Sequence, residues 1–155
     1  MGIILSCFKG IGKTYLENTK GRDVKISDLS DFDGDYSTFV DNVLSEAADN
    51  DIVFVSSDKT VRELLNERGV NYDVFYPSKE RRKEFIENEV RKHSKSSEIR
   101  LLDTNFNQMI DEIEEDDSEN CYKHILSGFG EFIGNNPILL SYIDDISKKK
   151  KIKNE

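Results

Sequence analysis

The strongest constraint on the fold is a short apolar run that passes directly into a glycine-rich turn, IILSCFKGIGKTYL at residues 3–16. The letters IILSC suit a buried strand, because they form a continuous apolar run that ends at a turn signal. The residues after Gly12 favour a helix that stops near Gly21. A strand, a tight turn and a helix in this order form the unit from which α/β proteins with parallel sheets are built.

The rest of the chain continues this alternation and predicts an α/β fold with a mostly parallel, five-stranded sheet. Further strands are predicted at residues 23–28, 51–57 and 71–77 and within 122–133. Helices are predicted at residues 12–20, 38–50, 59–69, 78–94 and 97–117, the last as one helix or two. Gly69 is placed to end the third of these helices, and Ser78 to cap the fourth. We expect one domain over residues 1–146 and a basic, flexible tail over residues 147–155.

The glycine-rich turn matches a phosphate-binding loop, G-x-x-x-x-G-K-[ST], at seven of its eight positions, with Cys7 in place of the first glycine. Gly10 and Gly12 would let the backbone turn its N–H groups inward to form an anion nest. Lys13 would reach the β- and γ-phosphates of ATP, and Thr14 would ligate Mg²⁺. We therefore predict that this segment binds the nucleotide through Phe8, Lys9, Gly10, Ile11, Gly12, Lys13, Thr14 and Tyr15.

The charge of the chain limits its partners. The 155 residues include 22 Lys and Arg and 31 Asp and Glu, a net charge of −9, and residues 1–146 alone carry 17 basic and 30 acidic side chains, or −13. Such a body repels a long nucleic acid, although a local site can still hold a small phosphorylated ligand. Two cysteines do not form a disulfide framework, and the apolar start is too short for a signal peptide or a membrane span. We expect a cytoplasmic protein without membrane contact.

Five stretches carry a resemblance to a known family: FKGIGKTYL at the loop, SDLSDF at residues 27–32, DIVFVSSDKTVR at 51–62, YP at 76–77 and GEFI at 130–133. In this order they resemble a family of small phage-type P-loop proteins related to nucleoside and nucleotide kinases. The resemblance implies the three-layer sandwich of a P-loop NTPase with a helical lid. It also implies ATP and Mg²⁺ as cofactors and a location in phage or host-cell cytosol.

Several residues outside the loop are candidates for the phosphoryl acceptor. Asp28 ends a predicted strand, where it could activate a hydroxyl, orient the acceptor, hold Mg²⁺ through water, or only cap the next segment. Ser30 would hydrogen-bond the acceptor, and Phe32 would either stack on a base or pack in the core. Ser57 follows a strand at the ligand edge of the sheet, where it could also cap a helix. Arg62 would grip an acceptor phosphate or lie on a solvated helix face.

The charged segment at residues 78–94 resembles the lid of a small kinase, which brings basic side chains onto the transferring phosphate and excludes water. Arg82 and Lys92 occupy basic positions of the resembling family. Asn88 stands where relatives often have arginine, and Arg81 is one substitute for it. The alternative is an ordinary amphipathic helix with its apolar side packed inward.

These features predict an ATP-dependent phosphotransferase that acts on a nucleoside monophosphate or a nucleoside, with Lys13, Asp28 and Arg82 as catalytic residues. One alternative is a kinase of a polynucleotide end or of a small metabolite. The other alternative is a regulatory protein that binds a nucleotide without turning it over. The oligomeric state and the identity of the acceptor stay open.

Overall fold

The computed structural model describes residues 1–13, 23–32 and 34–153. Within these residues the strands are β1 (Ile3–Cys7), β2 (Ile26–Asp28), β3 (Ile52–Ser56), β4 (Tyr72–Pro77) and β5 (Cys121–Leu126). The helices are α1 (Phe39–Asp49), α2 (Lys59–Glu67), α3 (Arg82–Arg91), α4 (Ser96–Glu114) and α5 (Pro137–Lys153). Three short 3-10 turns lie at Tyr36–Thr38, Lys79–Arg81 and Ile133–Asn135.

The five strands form one sheet in the order β2-β3-β1-β4-β5, and every neighbouring pair is parallel. This confirms the predicted α/β class and five-stranded sheet, and the arrangement is compatible with a three-layer sandwich. The chain leaves β1 towards β2 on one side and leaves β4 towards β5 on the other. In parallel sheets ligands bind beyond the carboxyl ends of strands at such a reversal, so the segment after β1 lies at the expected place for a site.

The sheet is apolar on both faces at its centre. In β3, Val53, Phe54 and Val55 are fully buried, and so is Leu5 in β1. A parallel strand covered by helices on both sides needs such a continuous apolar run rather than an alternating one. The strands at residues 3–7 and 52–56 can lie at the centre of the sheet because most of their side chains are apolar.

Several predicted boundaries shift in the structure. β2 is only the three residues Ile26–Asp28, because it is the edge strand and pairs with β3 alone. The helix predicted at residues 12–20 falls mostly on residues 14–22, which lie outside the described residues. Gly69 adopts a left-handed backbone with φ 66° directly after α2, which confirms its predicted role. Ser78 stands at the start of a 3-10 turn but makes no capping hydrogen bond through its side chain.

Residues 147–153, which the sequence assigned to a basic tail, are helical in the structure. They complete α5, a 17-residue helix that the sequence reading did not predict. Lys150 anchors this end of the helix, because its ammonium donates to Asp51 Oδ2 at 2.5 Å and to the Asp23 carbonyl at 2.7 Å. The lysine run has low sequence complexity, but one of its members, Lys150, makes specific tertiary contacts.

Candidate functional site

The segment after β1, residues 8–13 and hereafter the glycine loop, is held between α3 and the chain after β5. Gly10 and Gly12 have φ angles of 86° and 93°, which glycine adopts without strain. A Cβ at Gly10 would lie 3.2 Å from Glu89 Oε1, and one at Gly12 would lie 3.2 Å from the Cβ of Phe132. Glycine is therefore favoured at both positions for two reasons. The backbone angles are left-handed, and a Cβ would crowd a neighbouring side chain.

Two side chains of the glycine loop belong to the core. Phe8 is fully buried and meets Phe106 edge-on at 5.3 Å between ring centroids, and its backbone N–H donates to the Phe75 carbonyl. Ile11 is also buried, and its carbonyl accepts a 3.0 Å hydrogen bond from the Ile133 N–H. Their side chains thus fix the shape of the loop rather than face a ligand. Lys9 remains half-exposed at the surface.

Cys7, which replaces the first glycine of the phosphate-loop pattern, is a buried strand residue. It pairs with Ser56 on one side and Phe75 on the other, and its thiol contacts the Leu5 carbonyl at 3.6 Å. Burial raises the pKa of the thiol well above its usual value, and the nearby Lys13 ammonium opposes this only in part. The thiol is therefore protonated, and its role is to fill the strand end.

Lys13, Asp28 and Ser30 come together at the carboxyl edge of the sheet. Lys13 Nζ lies 3.4 Å from Asp28 Oδ2 and also donates to the Ser30 hydroxyl. Asp28 Oδ1 accepts from the Ser30 backbone N–H at 2.9 Å and from its hydroxyl at 2.6 Å. Burial disfavours the charged carboxylate, but the Ser30 hydrogen bonds and the Lys13 charge outweigh it and hold the pKa of Asp28 below its usual value. Asp28 is therefore an ionised hydrogen-bond acceptor at neutral pH.

These residues face a cavity of about 630 Å³, hereafter the loop cavity. The glycine loop forms one side, and the segments after β2 and β3 form the floor. Helix α4 forms the opposite wall. The lining side chains of these parts include Lys9, Lys13, Ser30, Asp31, Ser56, Ser57, Asp58, Lys59, Asn105, Gln108, Met109 and Glu112. The predicted residues Lys13, Ser30 and Ser57 therefore share one cavity, and Asp28 is bonded to two of its lining residues.

The wall from α4 was not predicted. Asn105, Gln108 and Glu112 follow the spacing of one helix face, and Met109 lies between them. The sequence feature that could have identified this wall is the polar face of the helix. The other face is apolar, and its buried residues are Leu102, Phe106, Ile110 and Ile113. Sequence reasoning treated this segment only as a helix, because nothing local shows that its polar side closes a cavity.

Two predicted acceptor residues have structural partners instead. The Phe32 ring packs against Phe39 at 4.9 Å and against Tyr36 at 5.7 Å between centroids, which supports the core alternative over base stacking. Arg62 is only 2% exposed, pairs with Asp116, and donates through Nε to the Ser57 carbonyl at 2.9 Å. Its Nη2 is buried without a hydrogen-bond partner among the described residues. Arg62 is therefore neither solvated nor free to meet an acceptor phosphate.

The basic residues of the predicted lid are also paired. Arg82 forms an ion pair with Asp103 of α4, away from the lining of the loop cavity. Arg81 is buried and donates to both carboxylate oxygens of Glu84, at 2.8 Å and 2.7 Å. The segment at residues 79–91 is thus packed onto the domain. This places Arg82, predicted as catalytic, on a structural contact.

Lys92 does lie beside the glycine loop. It lines a second space of about 310 Å³, hereafter the apolar cavity, together with Gly10, Gly12, Asn88, Phe132 and Asn135. The glycine loop separates this space from the loop cavity, since Gly10 lines both. Lys92 Nζ is 3.7 Å from the buried carboxylate of Glu89. Phe132 was part of a recognised sequence stretch but was not itself predicted as a site residue.

Two of the predicted magnesium and nucleotide ligands follow the glycine loop directly, and a third ends β2. Thr14 and Tyr15, predicted to bind Mg²⁺ and nucleotide, lie outside the described residues. Asp28 fits a cation, because its carboxylate is ionised and lies at the edge of the loop cavity. Within residues 1–13, 23–32 and 34–153, no group of three or more His, Cys, Asp and Glu side chains forms a metal cage.

No protein-family model matches the chain, and no curated protein matches it significantly. None of the helices in the described part of the chain is both long and apolar enough to cross a membrane. The function has to be inferred from the geometry of the site alone.

Proposed function

We propose that this protein is a P-loop phosphotransferase that moves the γ-phosphate of ATP to a small acceptor, a nucleoside or a nucleoside monophosphate. The observation that carries the proposal is the meeting of Lys13, Asp28 and Ser30 beside the glycine loop, at the mouth of the loop cavity. Phosphoryl transfer depends on positioning and on charge neutralisation. A cation, a fixed carboxylate and a glycine turn with two residues in left-handed backbone conformation can supply both.

The glycine loop would hold the triphosphate. Its two glycines allow backbone N–H groups to approach an anion closely, and Lys13 supplies the mobile positive charge. The apolar cavity next to it offers a place for the base of the nucleotide, because the Phe132 ring can pack on a planar group. Lys92 at the rim of that cavity would balance phosphate charge.

Asp28 would orient the acceptor hydroxyl. In the reaction, the hydroxyl oxygen forms a bond to the γ-phosphorus while the bond to the bridging oxygen breaks, so that ADP leaves and the hydroxyl proton passes to solvent. The low pKa of Asp28 makes it a hydrogen-bond acceptor rather than a strong base. Mg²⁺, held beside Asp28 and the phosphates, would neutralise the charge that develops on the phosphate oxygens.

One observation favours a second candidate, a nucleotide-binding protein without turnover. Arg82 is paired with Asp103 and Arg81 with Glu84. Neither is free to stabilise the transferring phosphate, a role that in kinases and GTPases contributes strongly to the rate. This candidate keeps the same loop and the same nucleotide but predicts no product.

The test is ADP formation from ATP and Mg²⁺ with a panel of small hydroxyl acceptors, alongside calorimetric binding of a non-hydrolysable ATP analogue. Lys13→Ala should abolish turnover and weaken analogue binding while the circular dichroism spectrum stays unchanged. Lys83→Ala is the matched control, because its side chain is 89% exposed on α3. Analogue binding without ADP from any acceptor would favour the second candidate. Wild-type turnover in Lys13→Ala would overturn both.

A further inference from the structure

The charges that line the loop cavity limit which acceptor can bind there, because they do not suit a second phosphorylated molecule beside the donor. Among the residues that the structure describes, the charged lining of this cavity consists of three lysines, Lys9, Lys13 and Lys59, and three acids, Asp31, Asp58 and Glu112. Lys13 is already needed for the triphosphate of the donor and is shared with Asp28. The cavity therefore has little positive charge left for a second phosphorylated molecule.

The remaining two lysines lie at the open rim. The Lys9 side chain is 43% exposed and faces Glu98 at 3.7 Å, and the Lys59 side chain is 59% exposed and faces Glu63 at 3.9 Å. Exposed lysines with acidic neighbours are weakly attractive, because solvent and the neighbour screen the charge. They do not form a phosphate clamp.

The arginines that could have bound an acceptor phosphate are engaged elsewhere. Arg62, beneath the cavity floor, is neutralised by Asp116, and Arg82 is held by Asp103. No arginine lines the loop cavity among residues 1–13, 23–32 and 34–153. A dianionic acceptor phosphate placed here would face Glu112 and Asp31, and among the described residues the only half-buried cation of the lining is Lys13, which the donor already uses.

The wall from α4 offers a different chemistry. Asn105 and Gln108 present carboxamides, which can donate and accept hydrogen bonds at the same time. Gln108 Nε2 donates to Glu112 Oε1 at 3.2 Å, which orients the amide and leaves its carbonyl oxygen available as an acceptor. Met109, which also lines the cavity, adds an apolar, polarisable surface. Carboxamides beside an apolar surface suit the amide edge and flat face of a nucleobase.

We infer that the acceptor is an uncharged nucleoside rather than a nucleoside monophosphate. This rests on the proposed phosphotransferase function. The base lies against Asn105, Gln108 and Met109, and the sugar hydroxyl points towards Asp28 and Ser30 at the glycine loop. Transfer of the γ-phosphate to that hydroxyl yields a nucleoside monophosphate, ADP and a proton.

The experiment compares each natural nucleoside with its own 5′-monophosphate, by calorimetric binding to protein saturated with the ATP analogue and by ADP formation from ATP. We expect at least one nucleoside to bind and to give a kcat/KM about 100-fold above that of its monophosphate. Gln108→Ala should lower the affinity for that nucleoside about tenfold and leave analogue binding unchanged. Asn107→Ala is the matched control, because Asn107 is exposed on the same helix outside the cavity lining.

Three results would overturn the inference. Preference for the monophosphate would reject the uncharged acceptor and retain the phosphotransferase. Analogue binding without binding of any nucleoside would reject the acceptor site. Failure of the analogue itself to bind would instead reject the proposed function, so that the two failures are separate.

Discussion

Lys13 Nζ lies 3.4 Å from Asp28 Oδ2, so the ammonium of the glycine loop and the carboxylate that ends β2 share a half-buried contact. The two residues are 15 positions apart in the sequence, and they meet at the edge of the sheet where the strands end. Because the ammonium is already partly neutralised, an anion that reaches the loop competes with Asp28 for Lys13.

This competition predicts that Asp28→Asn changes nucleotide binding and turnover in opposite directions. In the absence of Mg²⁺, binding of the ATP analogue should become tighter, because the carboxylate no longer competes for Lys13 and no longer repels phosphate. Turnover should fall about 100-fold or more, since the acceptor hydroxyl loses its orienting group. Calorimetry and steady-state ADP formation measure the two effects separately. Asp49→Asn, on the exposed end of α1, is the control, and loss of binding in step with turnover would contradict the assigned role.

The space around the loop glycines predicts unequal costs for alanine. Gly69→Ala should cost about 1–2 kcal/mol of unfolding free energy from its left-handed backbone alone, because a Cβ there meets nothing within 4 Å. Gly12→Ala should cost about 1–3 kcal/mol more, since its Cβ would press on Phe132. Urea unfolding measures both. Equal losses at the two positions would show that the glycine loop is less tightly enclosed than the structure indicates.

The buried pair of Arg62 and Asp116 predicts an acid-sensitive contribution to stability. Burial disfavours the Asp116 carboxylate, but hydrogen bonds from Ser118 and Asn66 and the charge of Arg62 hold its pKa below the usual value. The Asp116 carboxylate therefore contributes its whole stabilisation above the pKa of the unfolded state, about 3.9. This stabilisation is lost as the pH falls below that value and through the lower pKa of the folded state. Asp116→Asn should cost about 3 kcal/mol at pH 7, because it leaves Arg62 buried without its counter-ion.

Urea unfolding of wild type and Asp116→Asn at pH 7 and pH 3 checks this expectation. The difference between the two proteins should shrink at pH 3. Asp111→Asn removes an exposed pair with Lys79 and should cost under about 1 kcal/mol at either pH. A difference that is the same at both pH values would mean that Asp116 stabilises the fold without being ionised.

The buried position of Cys7 predicts slow chemistry at its thiol. Only 4% of the residue is exposed, and burial keeps the thiol protonated, so an alkylating reagent should modify it only when the protein unfolds. Single variants Cys7→Ala and Cys121→Ala assign each thiol, and mass spectrometry follows labelling with and without urea. Rapid labelling of Cys7 in the folded protein would point to a reactive cysteine at the loop.

The strands and the conformation of the glycine loop followed from the sequence, because their causes are local. The run IVFV at residues 52–55 is apolar throughout, which suits a strand covered on both faces, and Gly10 and Gly12 marked the turn where positive φ angles are needed. Lys13, Ser30 and Ser57 were placed near one another from their positions at strand ends, since parallel strands present their carboxyl ends at one edge. The helix α5 was not predicted, because a lysine run gives no local sign of a partner such as Asp51.

Only the tertiary structure decided which charges are free. Arg62 and Asp116 are 54 residues apart, and Arg82 and Asp103 are 21 apart, so neither pairing is visible in any local pattern. The same holds for the polar face of α4, which becomes a cavity wall only where the helix packs across the glycine loop. The sequence by itself determined the sheet and the loop, because periodicity and glycine geometry are local. The folded chain decided the electrostatics of the site, because a charged side chain is defined by the neighbours that packing brings to it.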